Sequence, residues 1–270
     1  MIRRTLVFVH AHPDDEAIFT AGTTRLHADA GDRVVLITCT NGRLGYDPNG
    51  HPGLDPEHQD QSTVEQRRRE LLVSAELLGF TDTFFLNYAD SGMAGWTQNE
   101  EAASFVQQPV AQVAARIAEI LKTVGADVVI TYDEYGYYGH PDHIHVNEVT
   151  RAAVTLAPSV QRLAYVVTPR SLIRSFVPAA EAMGVALPAW ISEPNIGADD
   201  TDIDVSLDLS AYAATKQEAI RAHASQIDNA DFMTMDPELF RLAFGTEFYT
   251  VAWQRDGIEL PIVNLLEGLT

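Results

Sequence analysis

The chain has 270 residues, 46% of them hydrophobic and 21% charged, which suits one large α/β domain with a sizeable core, with or without a small appendage. Acidic residues outnumber basic ones, 38 against 18, for a formal net charge of −20, so a polyanion such as nucleic acid would be repelled unless basic groups were gathered on one face. No apolar stretch approaches the roughly 20 residues that cross a bilayer, no signal-peptide pattern opens the chain, and the single Cys39 excludes an intrachain disulfide framework and a cysteine-rich metal cluster; a cytoplasmic location is expected.

Residues 6–9, Leu-Val-Phe-Val, are the first continuous apolar run of strand length, the pattern of a parallel strand covered on both faces. His12-Pro13-Asp14-Asp15 follows it, and then a helical pattern over 17–30. A second strand is expected at 34–37, before a glycine-, proline- and polar-rich loop over 41–62. A loop of that length in a compact domain is usually an active-site wall or lid. Helical spacing returns over 64–78, a third strand over 83–86, a second long loop over 87–108, and a helix over 110–124. Gly31, Gly79 and Gly125 each follow one of these helical segments, where a left-handed cap wants glycine. Residues 128–130 give the fourth strand, leading to His140-Pro141-Asp142-His143. Proline is well tolerated in a first turn, so a helix is expected from 141 to about 157.

A fifth strand is expected at 163–167. Residues 202–209 alternate strictly, which predicts a strand with one wet face rather than a calcium loop. An amphipathic helix over 211–227 and a last strand over 248–253 complete the pattern. The expected fold is α/β, a Rossmann-like three-layer sandwich with a mostly parallel central sheet plus a C-terminal α+β extension. No repeat or linker forces a boundary. Residues 1–160 read as the catalytic core and 161–270 as an extension that completes the sheet, caps the pocket, or both, within one structural domain.

In open parallel sheets the ligand crevice lies beyond the carboxyl ends of the strands, where strand order reverses. Both histidine-proline-aspartate segments stand at such ends, after strands one and four. A catalytic zinc takes nitrogen and oxygen ligands at about 2.0–2.2 Å and keeps one position open. The natural set is His12, Asp15 and His143, which leaves a carboxylate and an imidazole to move protons. Each residue has a bland alternative, since a histidine before proline is usually a turn or cap and paired aspartates at a helix start usually serve the dipole. The pairing of two such segments at one switch point outweighs those alternatives. His145 lies two positions from His143 and does not share its face, His10 reads as structural, and His51, His58 and His223 lack partner spacing. Cys39 reads as a buried, inert thiol. No Gly-x-Gly-x-x-Gly follows strand one, and there is no Walker A motif.

Val9-His10-Ala11-His12-Pro13-Asp14-Asp15-Glu16, Thr38-Cys39-Thr40, Arg67-x-x-Glu70-Leu71 with Leu78-Gly79, Asp90-Ser91-Gly92-Met93, and Thr131-Tyr132-Asp133 leading to Tyr138-x-His140-Pro141-Asp142-His143 run in that order. Over residues 5 to about 157 this resembles the PIG-L/LmbE-like zinc-dependent N-acetylglucosaminyl deacetylases. The similarity is greatest to the mycothiol-pathway branch of deacetylase and mycothiol conjugate amidase.

The resemblance implies one Zn2+ per subunit on His12, Asp15 and His143, with another divalent transition metal such as Fe2+ as the alternative. It implies Asp14 as general base, an imidazolium at His140 facing the developing oxyanion, and Tyr138 as a mobile loop residue near the same oxygen. Asp142 would orient an imidazole, and Arg67 and Asp90 would contact the sugar. Arg67 also opens an Arg67-Arg68-Arg69 run that reads as a solvated helix face, and Asp90 reads equally well as a turn cap.

The implied activity is removal of the N-acetyl group from an N-acetylglucosamine conjugate by metal-activated water. The alternatives are a conjugate amidase on a bulkier amide and a non-catalytic zinc- or sugar-binding module, which would keep the ligands and lose the proton-transfer groups. Where the mycothiol enzymes continue with glycine and acidic residues after Thr38-Cys39-Thr40, this chain has Asn41-Gly42-Arg43-Leu44-Gly45-Tyr46, which suits an anionic or flatter aglycone. The expected partner is a small amino-sugar conjugate, with no nucleic acid and no membrane span, and a homo-oligomer stays open.

Overall fold

The computed structural model describes residues 3–182, 191, 193, 195–255 and 258–270. The apolar runs become β1 (Thr5–His10), β2 (Arg33–Thr40), β3 (Asp82–Tyr88), β4 (Val128–Tyr132) and β5 (Arg162–Val167), all parallel. Every residue of β1, β4 and β5 is buried, which is why these stretches read as continuous rather than alternating. β6 (Val205–Asp208) and β7 (Thr246–Gln254) add antiparallel strands at one edge. The described strands form one sheet in the order β3-β2-β1-β4-β5-β7-β6. β6 buries Val205 and Leu207 and exposes Ser206 and Asp208, as its alternation predicts, but it starts only at Val205 because Asp200–Asp202 is a short 3-10 turn.

The helices are α1 (Asp15–Phe19), α2 (Ala21–Asp29), α3 (Asp60–Leu78), α4 (Val110–Val124), α5 (Gly136–Gly139), α6 (Pro141–Thr155), α7 (Arg170–Ala182), α8 (Ala213–Ala222), α9 (Ala230–Thr234) and α10 (Pro237–Phe244). α4 packs on α6 to form one covering layer, and α1, α2, α3 and α8 pack together as the other. Gly79 and Gly125 close α3 and α4 in the left-handed conformation, at φ 83° and 66°, as expected of C-terminal caps. Among the described residues no helix is long and apolar enough to cross a membrane.

Two departures from the sequence pattern shape the site. The helix expected over 17–30 is broken at Thr20 (φ −132°), whose hydroxyl lies 2.9 Å from His10 Nε2. The restarted helix α2 is capped from a distant strand: the Gly22 and Thr23 N–H groups donate to the Glu247 carboxylate of β7 at 2.9 and 3.0 Å, and Lys216 of α8 pairs with it at 2.8 Å. The helix expected over 211–227 stops at Ala222, and residues 223–229 leave it as a strap bonded to Glu16, Glu70, Tyr46 and Asp14. α7, α9 and α10 had no counterpart in the sequence reading. β1 and β4 lie side by side, with Leu6, Val7 and Phe8 paired to Val128, Val129 and Ile130. Chain order reverses between these two strands.

Candidate metal and catalytic site at the ends of β1 and β4

His12 lies in the turn after β1, Asp15 opens α1, and His143 sits in the first turn of α6 after β4. His12 Nδ1 is 3.2 Å from His143 Nε2 and 3.5 Å from Asp15 Oδ2, and His143 Nε2 is 3.5 Å from Asp15 Oδ1. A tetrahedral ion with ligands at about 2.0–2.2 Å has edges of about 3.3–3.6 Å. The His12–His143 spacing matches such an edge, the two Asp15 distances end on different carboxylate oxygens, and His140 shares a cluster of potential ligand atoms with His12 and His143; the composition of this group suits a divalent metal ion.

Neighbours fix each donor. Asp15 Oδ2 accepts the Tyr132 hydroxyl at 2.6 Å and the His12 N–H at 2.7 Å. The Tyr132 ring stacks on His143 at 4.1 Å and 10°, and its oxygen accepts the Ala11 N–H at 2.9 Å. His12 Nε2 lies 3.2 Å from Asp142 Oδ2, which also accepts the Ser91 N–H at 3.0 Å. Burial works to raise the Asp15 carboxyl, but His143 and His12 hold it well below the ordinary range. Burial, aided by His12 and His10 against Asp15, pushes His143 down to about 3, so it presents the neutral imidazole a metal requires.

Asp14 carries the strain of the turn. Its φ of 132° and ψ of −25° are costly for a residue with a Cβ, by about 1–3 kcal/mol. Although it occupies the N-cap position of α1, its side chain makes no cap hydrogen bond. Its carboxylate Oδ2 instead faces Arg67 Nη2 at 3.2 Å and accepts Asn229 Nδ2 at 3.4 Å. Burial raises the Asp14 carboxyl to about 6 against the pull of Arg67, which places it where a general base works best.

Arg67 is only 4% exposed. It donates to Gly42 O at 2.9 Å and Pro13 O at 2.6 Å. Arg68 and Arg69 are exposed, so the arginine run is a solvated face with one member turned inward. Positions 42 and 45 are glycine for a spatial reason, since a Cβ there would come within 2.7 and 2.5 Å of Arg67 Nη1.

His140 caps α6, its Nδ1 accepting the Asp142 N–H at 3.1 Å. That bond leaves the proton on Nε2. Burial, with His12 and His143 close by, pushes His140 down to about 3, so the ring is neutral rather than the imidazolium expected from the sequence. Its centroid lies 4.5 Å from that of His12. Tyr138 places its ring 5.0 Å from His143 and 6.0 Å from His140, on α5, whose backbone kinks at Tyr137 (φ 67°).

Asp90 Oδ1 accepts the Gly92 N–H at 2.9 Å and Oδ2 the Leu44 N–H at 3.3 Å, with Oδ1 3.7 Å from His12 Nε2. It caps a turn and borders the donors at once. Arg43 does not match the anion-binding expectation, because it is already paired with Asp60 at 3.3 Å and Glu101 at 2.5 Å, joining the two long loops. Cys39 is buried, and burial raises its thiol.

Sequence reasoning names Tyr132 only within a motif, without a role, and does not mark the strap. His223, set aside for want of a partner at recognisable spacing, lies 2.7 Å from Glu16 Oε1. Ser225 donates twice to Glu70, at 2.9 and 2.7 Å. The Gln226 amide brackets the Tyr46 backbone with two bonds of 3.2 Å, and the Tyr46 hydroxyl donates to Asp228 at 2.9 Å. A signal for Tyr132 was its place as the last residue of a buried strand; the strap's partners are too remote in sequence to leave one. A separate cavity of about 740 Å³, lined by Arg151, Tyr165, Val251 and Trp253 among others, contains none of His12, Asp15 and His143.

The PIG-L family model, described as GlcNAc-PI de-N-acetylase, matches residues 7–154. A 1D-myo-inositol 2-acetamido-2-deoxy-alpha-D-glucopyranoside deacetylase of Thermobispora bispora is 33% identical over 288 residues, covering 99% of this chain and 94% of that one. The chain belongs to the PIG-L family. In this PIG-L chain the match to that relative extends well past residue 154, through the strands β6 and β7 and the strap. N,N'-diacetylchitobiose deacetylase from Pyrococcus horikoshii superposes with a TM-score of 0.61 at 21% identity, over 92% of this chain and 83% of that one. The 4-carboxy-2-hydroxymuconate hydratase of Pseudomonas putida gives 0.63 at 16%, over 95% and 99%. These two likenesses show the fold alone.

Proposed function

We propose that this PIG-L chain is a zinc-dependent N-deacetylase that hydrolyses the acetamide of an N-acetylglucosamine conjugate. The substrate named for its relatives, 1D-myo-inositol 2-acetamido-2-deoxy-alpha-D-glucopyranoside, is the first to test. The observation that carries the reading is the convergence of the His12, Asp15 and His143 side chains within 3.2–3.5 Å of one another, beside an Asp14 carboxylate that caps nothing. Those three side chains would hold the ion. Imidazole and carboxylate suit zinc and iron(II), and three protein ligands leave one position open.

An ion held there would supply Lewis-acid chemistry, polarising the acetamide carbonyl and making water acidic near neutral pH. The chain's own groups supply the remainder. Asp14 takes a proton from the attacking water as its oxygen bonds to the acyl carbon. The neutral His140 donates from Nε2 to the carbonyl oxygen as charge develops there, an interaction of a kind whose loss costs about 10²–10³ in kcat. Tyr138 flanks the same oxygen. The acyl carbon–nitrogen bond then breaks, Asp14 returns its proton to the departing nitrogen, and acetate and free amine leave. Asp142 orients His12 through Nε2, Arg67 holds the Asp14 turn, and Asp90 offers its remaining lone pairs to a sugar hydroxyl.

The test pairs metal analysis with acetate release. Wild-type protein should carry one zinc and release acetate and amine in equal amounts. Asp14→Asn should keep the metal and lose about 10²–10⁴ of its turnover, the range for general base removal. A wild type that releases no acetate from N-acetylglucosamine conjugates, or an Asp14→Asn variant that keeps its rate, would overturn the reading.

A further inference from the structure

We infer that Glu16 and His223 form a positioning pair that holds the Asp14 backbone in its left-handed conformation, so that the C-terminal strap sets the direction of the base. The inference rests on the deacetylase reading for its catalytic consequence, but its structural content stands on the hydrogen bonds alone.

Glu16 is fully buried, and its two oxygens face different tasks. Oε2 accepts the Asp14 N–H at 3.0 Å. Oε1 accepts the Ser74 hydroxyl at 2.5 Å and meets His223 Nε2 at 2.7 Å. In an ordinary capping box a glutamate three residues into the helix returns to the N–H of the cap residue. Glu16 does so from one position closer, since Asp14 is the cap residue and Asp15 the first of the helix. The shorter return closes a tighter ring and matches the unusual φ of 132° at Asp14.

A single hydrogen bond on a mobile glutamate would not hold such a turn. Ser74 from α3 and His223 from the end of α8 remove that mobility by fixing Oε1. The histidine ring is itself 1% exposed. Five residues beyond His223 in the strap comes Asp228, tied to Tyr46, and then Asn229, whose amide reaches Asp14 Oδ2 at 3.4 Å. The strap thus touches Asp14 twice, on its carboxylate directly and on its N–H through Glu16.

The experiment compares His223→Ala and His223→Gln in the zinc-loaded protein, with the N-acetylglucosaminyl inositol as substrate. Glutamine can place an amide N–H where imidazole Nε2 stands. His223→Ala should lower kcat about 10- to 100-fold, the effect of misplacing a reacting group by roughly 1 Å, with KM within about twofold and metal content unchanged. His223→Gln should recover most of the loss. A crystal structure of His223→Ala should show Asp14 relaxed to negative φ.

A His223→Ala protein with lowered thermal stability but unchanged kcat and unchanged Asp14 geometry would overturn the inference and leave the pair merely structural. If His223→Ala does not fold, Ser74→Ala removes the other anchor and must show the same kcat-selective loss. A wild type without deacetylase activity would refute the deacetylase reading, and the Asp14 geometry of the variant would still decide whether the pair holds the turn.

Discussion

Replacing Arg67 with methionine asks whether this guanidinium builds the catalytic turn or serves the sugar. Methionine keeps much of the stem and removes the donors. The side chain is 4% exposed and bonded to Gly42 O at 2.9 Å and Pro13 O at 2.6 Å. Each such bond from a charged donor contributes about 1.5–3 kcal/mol, and stranding a buried carbonyl forfeits it. Removing a buried cation also relieves its desolvation, which offsets part of the loss. The net expectation is about 2–4 kcal/mol, a large share of the roughly 5–15 kcal/mol that stabilises a domain. At about 2–4 °C per kcal/mol for a chain near this size, the melting temperature should fall by about 4–16 °C. Urea unfolding gives the free energy, and steady-state kinetics on the same preparation should show kcat falling more than KM rises, because Asp14 loses the partner at 3.2 Å. An Arg67→Met protein of unchanged stability whose KM alone rises tenfold would refute this account and return Arg67 to the sugar.

Stripping the metal with a chelator should leave a folded protein of lower melting temperature, and zinc at a thousand times its dissociation constant should restore about 4 kcal/mol; calorimetry of His143→Ala should show no such zinc response. The second expectation concerns pH. Burial works to raise the Glu247 carboxyl, but Lys216 and Thr23 hold it below its ordinary value. A carboxyl depressed on folding contributes stability that is fully present above its unfolded value of about 4.3 and is lost as pH falls through the folded one. Glu247→Gln should flatten the decline of stability with acid below about pH 4.3, and at neutral pH it should cost about 3–5 kcal/mol by stranding the buried Lys216. Adding Lys216→Met should recover most of that loss in urea titrations. An acid limb as steep as in the wild type would remove Glu247 from the account.

What the sequence reveals depends on how local the responsible interaction is. Strands covered on both faces must be apolar throughout, so β1, β2, β4 and β5 stand out as runs, and the segments after β1 and β4 identify themselves by composition. Thr20 gave no warning that it would break a helix, because the cause is a bond to His10 ten positions earlier and a cap from Glu247 more than two hundred positions later. The Arg67 guanidinium lies inside a turn whose glycines make the space for it, and a run of three arginines hides which one faces inward. His140 was expected as a cation, yet its capping bond and crowded surroundings leave it neutral. His223 was unreadable for the plainest reason: its partner is 207 positions away. α10 carries a local signal, Asp236-Pro237 at its start, with the aspartate accepting two N–H bonds.

The adjacency of β1 and β4 also dictates an order of events during synthesis. Two imidazoles 3.2 Å apart are separated by 131 positions of chain, and parallel pairing across such a span forms late, after a large loss of chain entropy. A polypeptide emerging from the ribosome carries His12 through 131 further residues before His143 exists to meet it. Unlike a small zinc finger, whose metal drives its folding, the metal site proposed here can take its ion only once β1 and β4 have paired.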